Sequence, residues 1–408
     1  MKVMVDGYNI ALSRGTGVAT YGRVFLKAAH ALGHETHLLF GEEDDGSKNM
    51  LTRRAGRVLD FATAPFGFKA HRVDVSDFSQ SRDIACPPTD AIWNRPRLFR
   101  AAKRAFRQTG TFVPVHVPGV DIAHWTYPLP LFVPGAKNIY TIHDIVPLKF
   151  PWMIKNGVEE YRRICNGISQ RADHILTVSN CSREDIIAEF NISGEKVTNT
   201  YQAFDLDGLA ECSGIPEGDF IGRQGLPDKG YFLFFGAIEP KKNVGRLLDA
   251  FEGSGVKTPL VVVAAGGWSC EAEQKRLAEL AQMPGGRVRL LQYLSRRDLV
   301  ELIRHAKATI FPSLYEGFGL PVLESMALGT AVIVSHTSAL PEVAGEAGWL
   351  VDPHSVESIR QAICAVDTED AKRVQLERKG LEQALLFSNE AYHQRLAEVF
   401  GSLFSQSR

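Results

Sequence analysis

Residues 308–335, ATIFPSLYEGFGLPVLESMALGTAVIVS, contain two short apolar runs with a glycine turn and a helical stretch between them. ATIFPS reads as a buried strand, because Ala308, Ile310 and Phe311 form a compact apolar run closed by Pro312. Gly317 and Gly319 can take positive φ or let a ligand approach the backbone closely. Pro321 suits the first helical position, where its missing N–H costs nothing, and Gly329 suits the helix exit. AVIVS is the next strand. Strand, glycine turn, helix and strand make one unit of a parallel α/β sheet. The turn also gathers free backbone N–H groups and the positive end of a helix dipole on one spot, a seat for phosphate. Two carboxylates, Glu316 and Glu324, stand eight positions apart around it.

The same alternation runs outward in both directions. KVMVDGY, THLLF, VDIAHW, NIYTIHD and HILTVS are strand-like in the first half, with helices predicted over Thr20–Leu32 and about Gly157–Arg171. YFLFFGAI, LVVVAAG, VRLLQYL, ATIFPS and AVIVS alternate with helical segments in the second. The pattern predicts an α/β fold of two domains with parallel sheets, which bind ligands at the carboxyl ends of their strands. We place the amino-terminal domain at 1–206, a linker rich in Gly, Asp and Pro at 207–229, and the carboxy-terminal domain at 230–388. A last helix, about 389–408 with Tyr392, Leu396, Val399 and Phe400 on one face, is expected to pack back on the first domain.

Composition narrows the function classes. The chain has 408 residues, 45% apolar and 23% charged, with a formal net charge of −1, so no overall field selects nucleic acid. No apolar stretch approaches the length that crosses a bilayer, and MKVMVDGYNI reads as a first strand and not as a secretory leader. A cytoplasmic protein is expected. Cys86, Cys165, Cys181, Cys212, Cys270 and Cys364 lack metal-ligand spacing, which predicts reduced thiols and no zinc.

YEGFGLPVLESMALGTAVIVSHTSALPEVAG (315–345), FGAIEPKKN (235–243), TIHDIVPL (141–148), the glycine loop RGTGVATYGR (14–23) and LTVSNCSREDI (176–186) stand in the order found in retaining glycosyltransferases of family 4. The chain resembles that family over nearly its whole length. The resemblance implies the GT-B fold, two facing Rossmann-like domains with a cleft between them. It implies a nucleotide-sugar donor as co-substrate against the carboxy-terminal domain, an acceptor entering from the other, and no cofactor or catalytic metal. Charge develops on the departing pyrophosphate, so preorganised cations and N–H dipoles are the main catalytic need.

Carried over residue by residue, Lys242 matches the family's phosphate-binding lysine, and Gly236 precedes Ala237, where many members have arginine. Lys241 is the candidate replacement for that missing cation. Glu324 would hold the donor ribose, and Glu316 would orient the transferred sugar without acting as a covalent nucleophile. The backbone of Phe318, Gly319 and Leu320 would contact sugar and phosphate. His143, with Asp144, would contact the transferred sugar or the reacting acceptor hydroxyl. Gly15, Thr16 and Gly17 would face the cleft, Gly17 on the donor phosphate and Gly15 and Thr16 on the acceptor side. Ser338 and Glu342, from SALPE, and Ser179 and Arg183 are further candidates for the cleft wall. Two lobes on a linker are expected to close over ligand, so an open cleft with His143 far from Glu316 is one expected state.

Two acidic stretches are decoys. Asp205 and Asp207 mimic a metal-binding DxD but fall at the linker, and 42–45, EEDD, reads as a solvated turn. Residues 95–107, RPRLFRAAKRAFR, carry six Lys or Arg and no acid. On a helix, Leu98, Phe99, Ala102, Ala105 and Phe106 face one way and Arg97, Arg100, Lys103, Arg104 and Arg107 the other. That is the form of an interfacial helix at an anionic membrane, and equally of an ordinary helix with a solvated basic face. The first reading would bring a polyprenyl-linked glycan acceptor to the inner face of the cytoplasmic membrane.

HDIVPLKFP (143–151) and SLYEGFGLPVLESMALG (313–329) most resemble bacterial mannosyltransferases of O-antigen, capsule or exopolysaccharide assembly, which implies GDP-mannose as donor. A UDP-sugar or a rhamnosyl, glucosyl or N-acetylglucosaminyl donor stays open. So do a sugar-nucleotide epimerase of the same fold and an inactive nucleotide-sugar-binding protein.

Overall fold

The computed structural model describes residues 1–10, 17–42, 63–74, 88–153, 157–204, 220–267, 270–292 and 294–405. The amino-terminal half contributes β1 (Lys2–Asp6), β2 (Glu35–Phe40), β3 (Phe68–Lys69), β4 (His71–Val73), β5 (Ala91–Asn94), β6 (Val113–His116), β7 (Ile122–Trp125), β8 (Leu131–Phe132), β9 (Lys137–Thr141), β10 (His174–Thr177) and β11 (Val197–Asn199). The second half contributes β12 (Phe232–Ile238), β13 (Leu260–Gly267), β14 (Val288–Leu291), β15 (Ala308–Phe311), β16 (Ala331–Ser335) and β17 (Gly348–Val351).

The first sheet runs β11-β10-β9-β7-β1-β2-β5-β4, parallel except for the antiparallel edge strand β4. The second runs β14-β13-β12-β15-β16-β17 and is parallel throughout. Counted from its own first strand, that is the 3-2-1-4-5-6 order of a dinucleotide-binding sheet. Short β3, β6 and β8 form a separate small sheet. Helices cover both faces of such sheets, so their strands are apolar on both sides: β15 and β16 are buried at every residue.

The parallel part of each sheet reverses direction once along its strand order. In the second the reversal lies between β12 and β15, in the first between β1 and β7. Loops leaving neighbouring strands diverge there and open a crevice at the carboxyl ends.

The segments recognisable in the sequence lie where their periodicity predicts. The predicted helix Thr20–Leu32 overlaps the helix Gly17–Ala31 to within one residue at its end, and 157–171 is the helix Val158–Arg171. Strands β3, β4, β5, β6, β8, β11 and β17 go unread, because they are two to four residues long and none carries a run of three apolar aliphatic residues. In the segment read as linker, the described part contains a helical turn, Phe220–Arg223, with Phe220 buried. The helix Asn389–Ser405 buries Tyr392, Leu396, Val399, Phe400 and Leu403 and meets the helix Gly17–Ala31. Phe400 lies edge-on to Phe25, with centroids 6.1 Å apart. The last segment of the chain therefore shares a core with its first helix.

The helix Leu98–Thr109 corrects one expectation. Leu98, Phe99, Ala101, Ala102, Ala105 and Phe106 are all buried in the amino-terminal core, so this helix has no apolar face to insert into a bilayer. Its Arg107 pairs with Glu160 at 2.7 Å, and its Lys103 donates to the Tyr8 hydroxyl at 2.9 Å. Arg100, Arg104 and Arg107 remain at the surface. No described helix is long and apolar enough to cross a membrane.

Candidate active site

The glycine turn folds as its residues require. Gly319 has φ 118° and caps the helix Leu320–Ala327, with Pro321 in its first turn, and Gly329 at φ 73° follows the helix exit. A Cβ at Gly317 would come within 2.9 Å of the Asp144 side chain and 3.0 Å of the His143 carbonyl. Glycine there allows the two domains to touch. The cleft is thus closed at this point, not open, and Ser182 Oγ donates across it to the Gly317 carbonyl at 3.2 Å.

A cavity of about 430 Å³ lies at the reversal point of the second sheet. Its floor carries Gly236, Lys241 and Lys242 from the β12 exit and Glu316 to Pro321 from the β15 exit. Gly17, Val18 and Thr20, at the start of the helix Gly17–Ala31, face it from the amino-terminal domain with His143 and Asp144. Gly17 also stands close to Leu320, since a Cβ on Gly17 would lie 3.3 Å from Leu320 Cδ1. Gly15 and Thr16 lie outside the described residues, as do Asp205, Asp207 and 43–45.

Glu316 is buried between two ammonium groups. Lys242 Nζ lies 2.6 Å from one carboxylate oxygen and Lys241 Nζ 3.5 Å from the other. Burial by itself would raise the Glu316 carboxyl, but the two lysines outweigh it and hold the group at about 2. Lys241 is raised in turn, chiefly by the same carboxylate. Ser338, at φ 58°, accepts the Glu316 N–H at 2.9 Å. It orients the Glu316 backbone and stands behind the residues that line the cavity.

Glu324 lines the cavity from mid-helix and is held by Arg296 at 2.8 Å. Arg296 was not legible in the sequence. It opens the helix Arg296–Arg304 behind the N-cap Ser295, and nothing in SRRD marks a partner 28 residues away. Lys241, Lys242 and Arg296 face Glu316, Glu324 and Asp144 around the cavity, so an incoming anion must displace carboxylates from cations.

His143 Nε2 lies 2.9 Å from the Thr126 carbonyl. A carbonyl only accepts, so this nitrogen carries the proton and the neutral ring keeps Nδ1 as an acceptor. Burial lowers its pKa against the opposing effects of that bond and of Asp144. Tyr21 packs edge-on to the ring at 4.8 Å.

Three expected cleft residues do other work. Ser179 is buried and caps the helix Asn180–Phe190 by accepting the Ser182 N–H at 3.0 Å. Arg183 is clamped on the carbonyls of Val197 and Gly194, at 2.7 and 2.6 Å. Glu342 crosses between the domains and accepts the N–H groups of Asn180, at 2.8 Å, and Cys181, at 3.3 Å. A carboxylate on a helix N-terminus is a favourable charge-assisted contact. It ties the lobes together beside the Ser182–Gly317 bond.

Comparison with known proteins decides the family. A profile described as glycosyltransferase family 4 matches residues 15–207, and one described as glycosyl transferases group 1 matches 219–383. The MMP alpha-(1->4)-mannosyltransferase of Mycolicibacterium hassiacum is 31% identical over 375 residues, 88% of this chain and 87% of that protein. The chain belongs to glycosyltransferase family 4. The O-antigen chain mannosyltransferase B of Escherichia coli is 34% identical over 263 residues, 62% of this chain and 67% of that protein. Among solved structures, sucrose-phosphate synthase from Thermosynechococcus elongatus superimposes with a TM-score of 0.70 at 19% identity over the full length of both chains. Anabaena Alr3699/HepE, in complex with UDP and glucose, does so with a TM-score of 0.67 at 15% identity, covering 98% of this chain and 100% of that one. The family 4 chain has the GT-B fold and is a glycosyltransferase.

Proposed function

We propose that this glycosyltransferase moves mannose from GDP-mannose, with retention, onto a glycan or polyprenyl-linked glycan in cell-surface polysaccharide synthesis. The observation that carries the reading is the Lys241–Glu316–Lys242 cluster at the sheet reversal, opposed across the cavity by the helix starting at Gly17. Two ammonium groups and a helix N-terminus supply positive charge where a pyrophosphate would leave, so the reaction needs no metal. On donor binding the lysines turn to the phosphates and Glu316 is released toward the sugar hydroxyls. Glu324 turns from Arg296 to the ribose. The acceptor oxygen then bonds to the anomeric carbon on the face that the phosphate leaves, and the departing phosphate oxygen takes the acceptor's proton. His143, as an acceptor at Nδ1, orients a hydroxyl. The mannosyltransferase names of the relatives favour mannose, and with it a guanosine donor.

Incubation with GDP-mannose, UDP-glucose and UDP-N-acetylglucosamine, with and without a membrane lipid extract, tests this. Nucleotide release from GDP-mannose that rises with the extract is expected. Preference for a UDP-sugar overturns the donor. Epimerised nucleotide sugar formed without acceptor makes the protein an epimerase, and no turnover of any donor makes it a binding protein. The acceptor's lipid would bring the protein to the inner membrane face by charge alone, through Arg100, Arg104 and Arg107. Replacing these three by Gln should weaken binding to anionic liposomes, each group contributing about 1 kcal/mol, and leave transfer to a water-soluble acceptor intact. Unchanged liposome binding removes the membrane contact.

A further inference from the structure

The reversal point of the amino-terminal sheet, between β1 and β7, is also built, and none of the roles assigned so far uses its side chains. Asp6, the last residue of β1, is fully buried and accepts the backbone N–H groups of Tyr8, at 3.1 Å, and of Thr126. One carboxylate thus fastens the segments leaving β1 and β7 to each other. The rings of Tyr8 and Tyr127 are thereby set 6.2 Å apart with planes inclined by 34°. Phe99 backs Tyr8 edge-on at 5.0 Å. Lys103 holds its ammonium 4.5 Å from the Tyr8 ring centre and 5.7 Å from that of Tyr127. Tyr8, Tyr127 and Lys103 are all only half-buried.

This shelf continues into the cavity wall. The Thr126 carbonyl, one residue before Tyr127, is the group that holds His143 Nε2. Asp144 follows His143, lines the cavity, and has its own carbonyl held by Tyr161 at 2.7 Å.

The chemistry differs from that of the cavity floor. Partly exposed aromatic rings can offer apolar area to the C–H faces of a pyranose, and an ammonium beside them can donate to its hydroxyls. Anchorage by aromatic area suits a neutral ring, where the lysines at Glu316 suit an anion. We propose that Tyr8 and Tyr127, with Lys103 as hydroxyl donor, seat the sugar ring of the acceptor glycan beside His143. The proposal rests on the transferase reading. It turns Lys103 of the basic helix toward the substrate instead of a membrane.

Ligand-observed saturation-transfer NMR with α-linked mannobiose, together with steady-state kinetics on the full chain, tests it. Tyr127→Leu should weaken mannobiose binding and raise its KM about tenfold, while Tyr127→Phe, which keeps the ring face, stays within about threefold. Lys103→Met, which keeps the stem over the ring, should cost about threefold. The KM for the nucleotide sugar and its hydrolysis without acceptor should not move in any of these variants. Near-UV circular dichroism checks that each is folded, and Lys103→Met decides if Tyr127→Leu is not. Acceptor KM unchanged in the folded variants, or donor and acceptor constants rising together, overturns the shelf. Donor turnover without mannobiose contact overturns it too and leaves the transferase reading in place. Tyr127-dependent mannobiose binding by a protein that turns over no donor does the reverse, and absence of both removes both.

Discussion

The two sheets present different chemistry at equivalent places. Where the second sheet reverses, between β12 and β15, two lysines clasp a buried carboxylate. Where the first reverses, between β1 and β7, a buried carboxylate accepts the backbone N–H groups of Tyr8 and Thr126 and supports an aromatic pair. The topology provides a crevice in both cases. The difference lies in what the crevice holds: paired charge on one side, where the proposed reaction has its leaving pyrophosphate, and an aromatic pair on the other, where the proposed acceptor ring sits. Gly317 on Asp144 brings one against the other.

The largest expected effect breaks the ionic side. Lys242→Ala should reduce kcat by about two to three orders of magnitude, the loss typical of a removed oxyanion donor. Full activity in Lys242→Ala and Glu324→Ala alike would refute the assignment of this crevice. Next is stability. Glu316→Gln leaves two lysines facing each other and should cost about 3 kcal/mol in denaturant unfolding. Because the carboxyl is held at about 2 against an ordinary 4.5, its stabilisation is fully present above pH 4.5 and fades as pH falls toward 2. The variant's stability should therefore lose less between those pH values than the parent's, and an identical acid limb would contradict the ion-pair geometry. The smallest effect concerns the contact between the two sides. Glu342→Ala removes a charge-assisted contact with a helix N-terminus, about 1 kcal/mol. Small-angle scattering should then report a more open average shape, and an unchanged profile would mean that packing alone keeps the lobes closed.

Legibility followed distance along the chain. The turn from Glu316 to Glu324 could be read because glycine, proline and helix rules act between near neighbours, and Lys242 because it follows a strand in a recognisable motif. Arg296 on Glu324 could not, since no local rule links a helix's first residue to a carboxylate on another helix. The partners of Ser179 and Arg183 are equally unreadable from their motif. Their motif is adjacent to the cleft, but capping and a carbonyl clamp take up their polar groups. The basic helix left its apolar half open between two readings, because amphipathicity shows that a helix has two faces and not which partner covers one.

The sequence by itself determined two α/β units and the glycine turn ahead of the helix Leu320–Ala327, because these depend on periodicity and on backbone freedom at single residues, while Lys242 was marked only by its family motif. Only the tertiary structure decided that Lys241 joins Lys242 on Glu316, that the lobes meet at Gly317, and that Tyr8 and Tyr127 share a shelf. Those are pairings between residues far apart in the chain. They are set by strand order and burial, which bring β1 beside β7 and β12 beside β15.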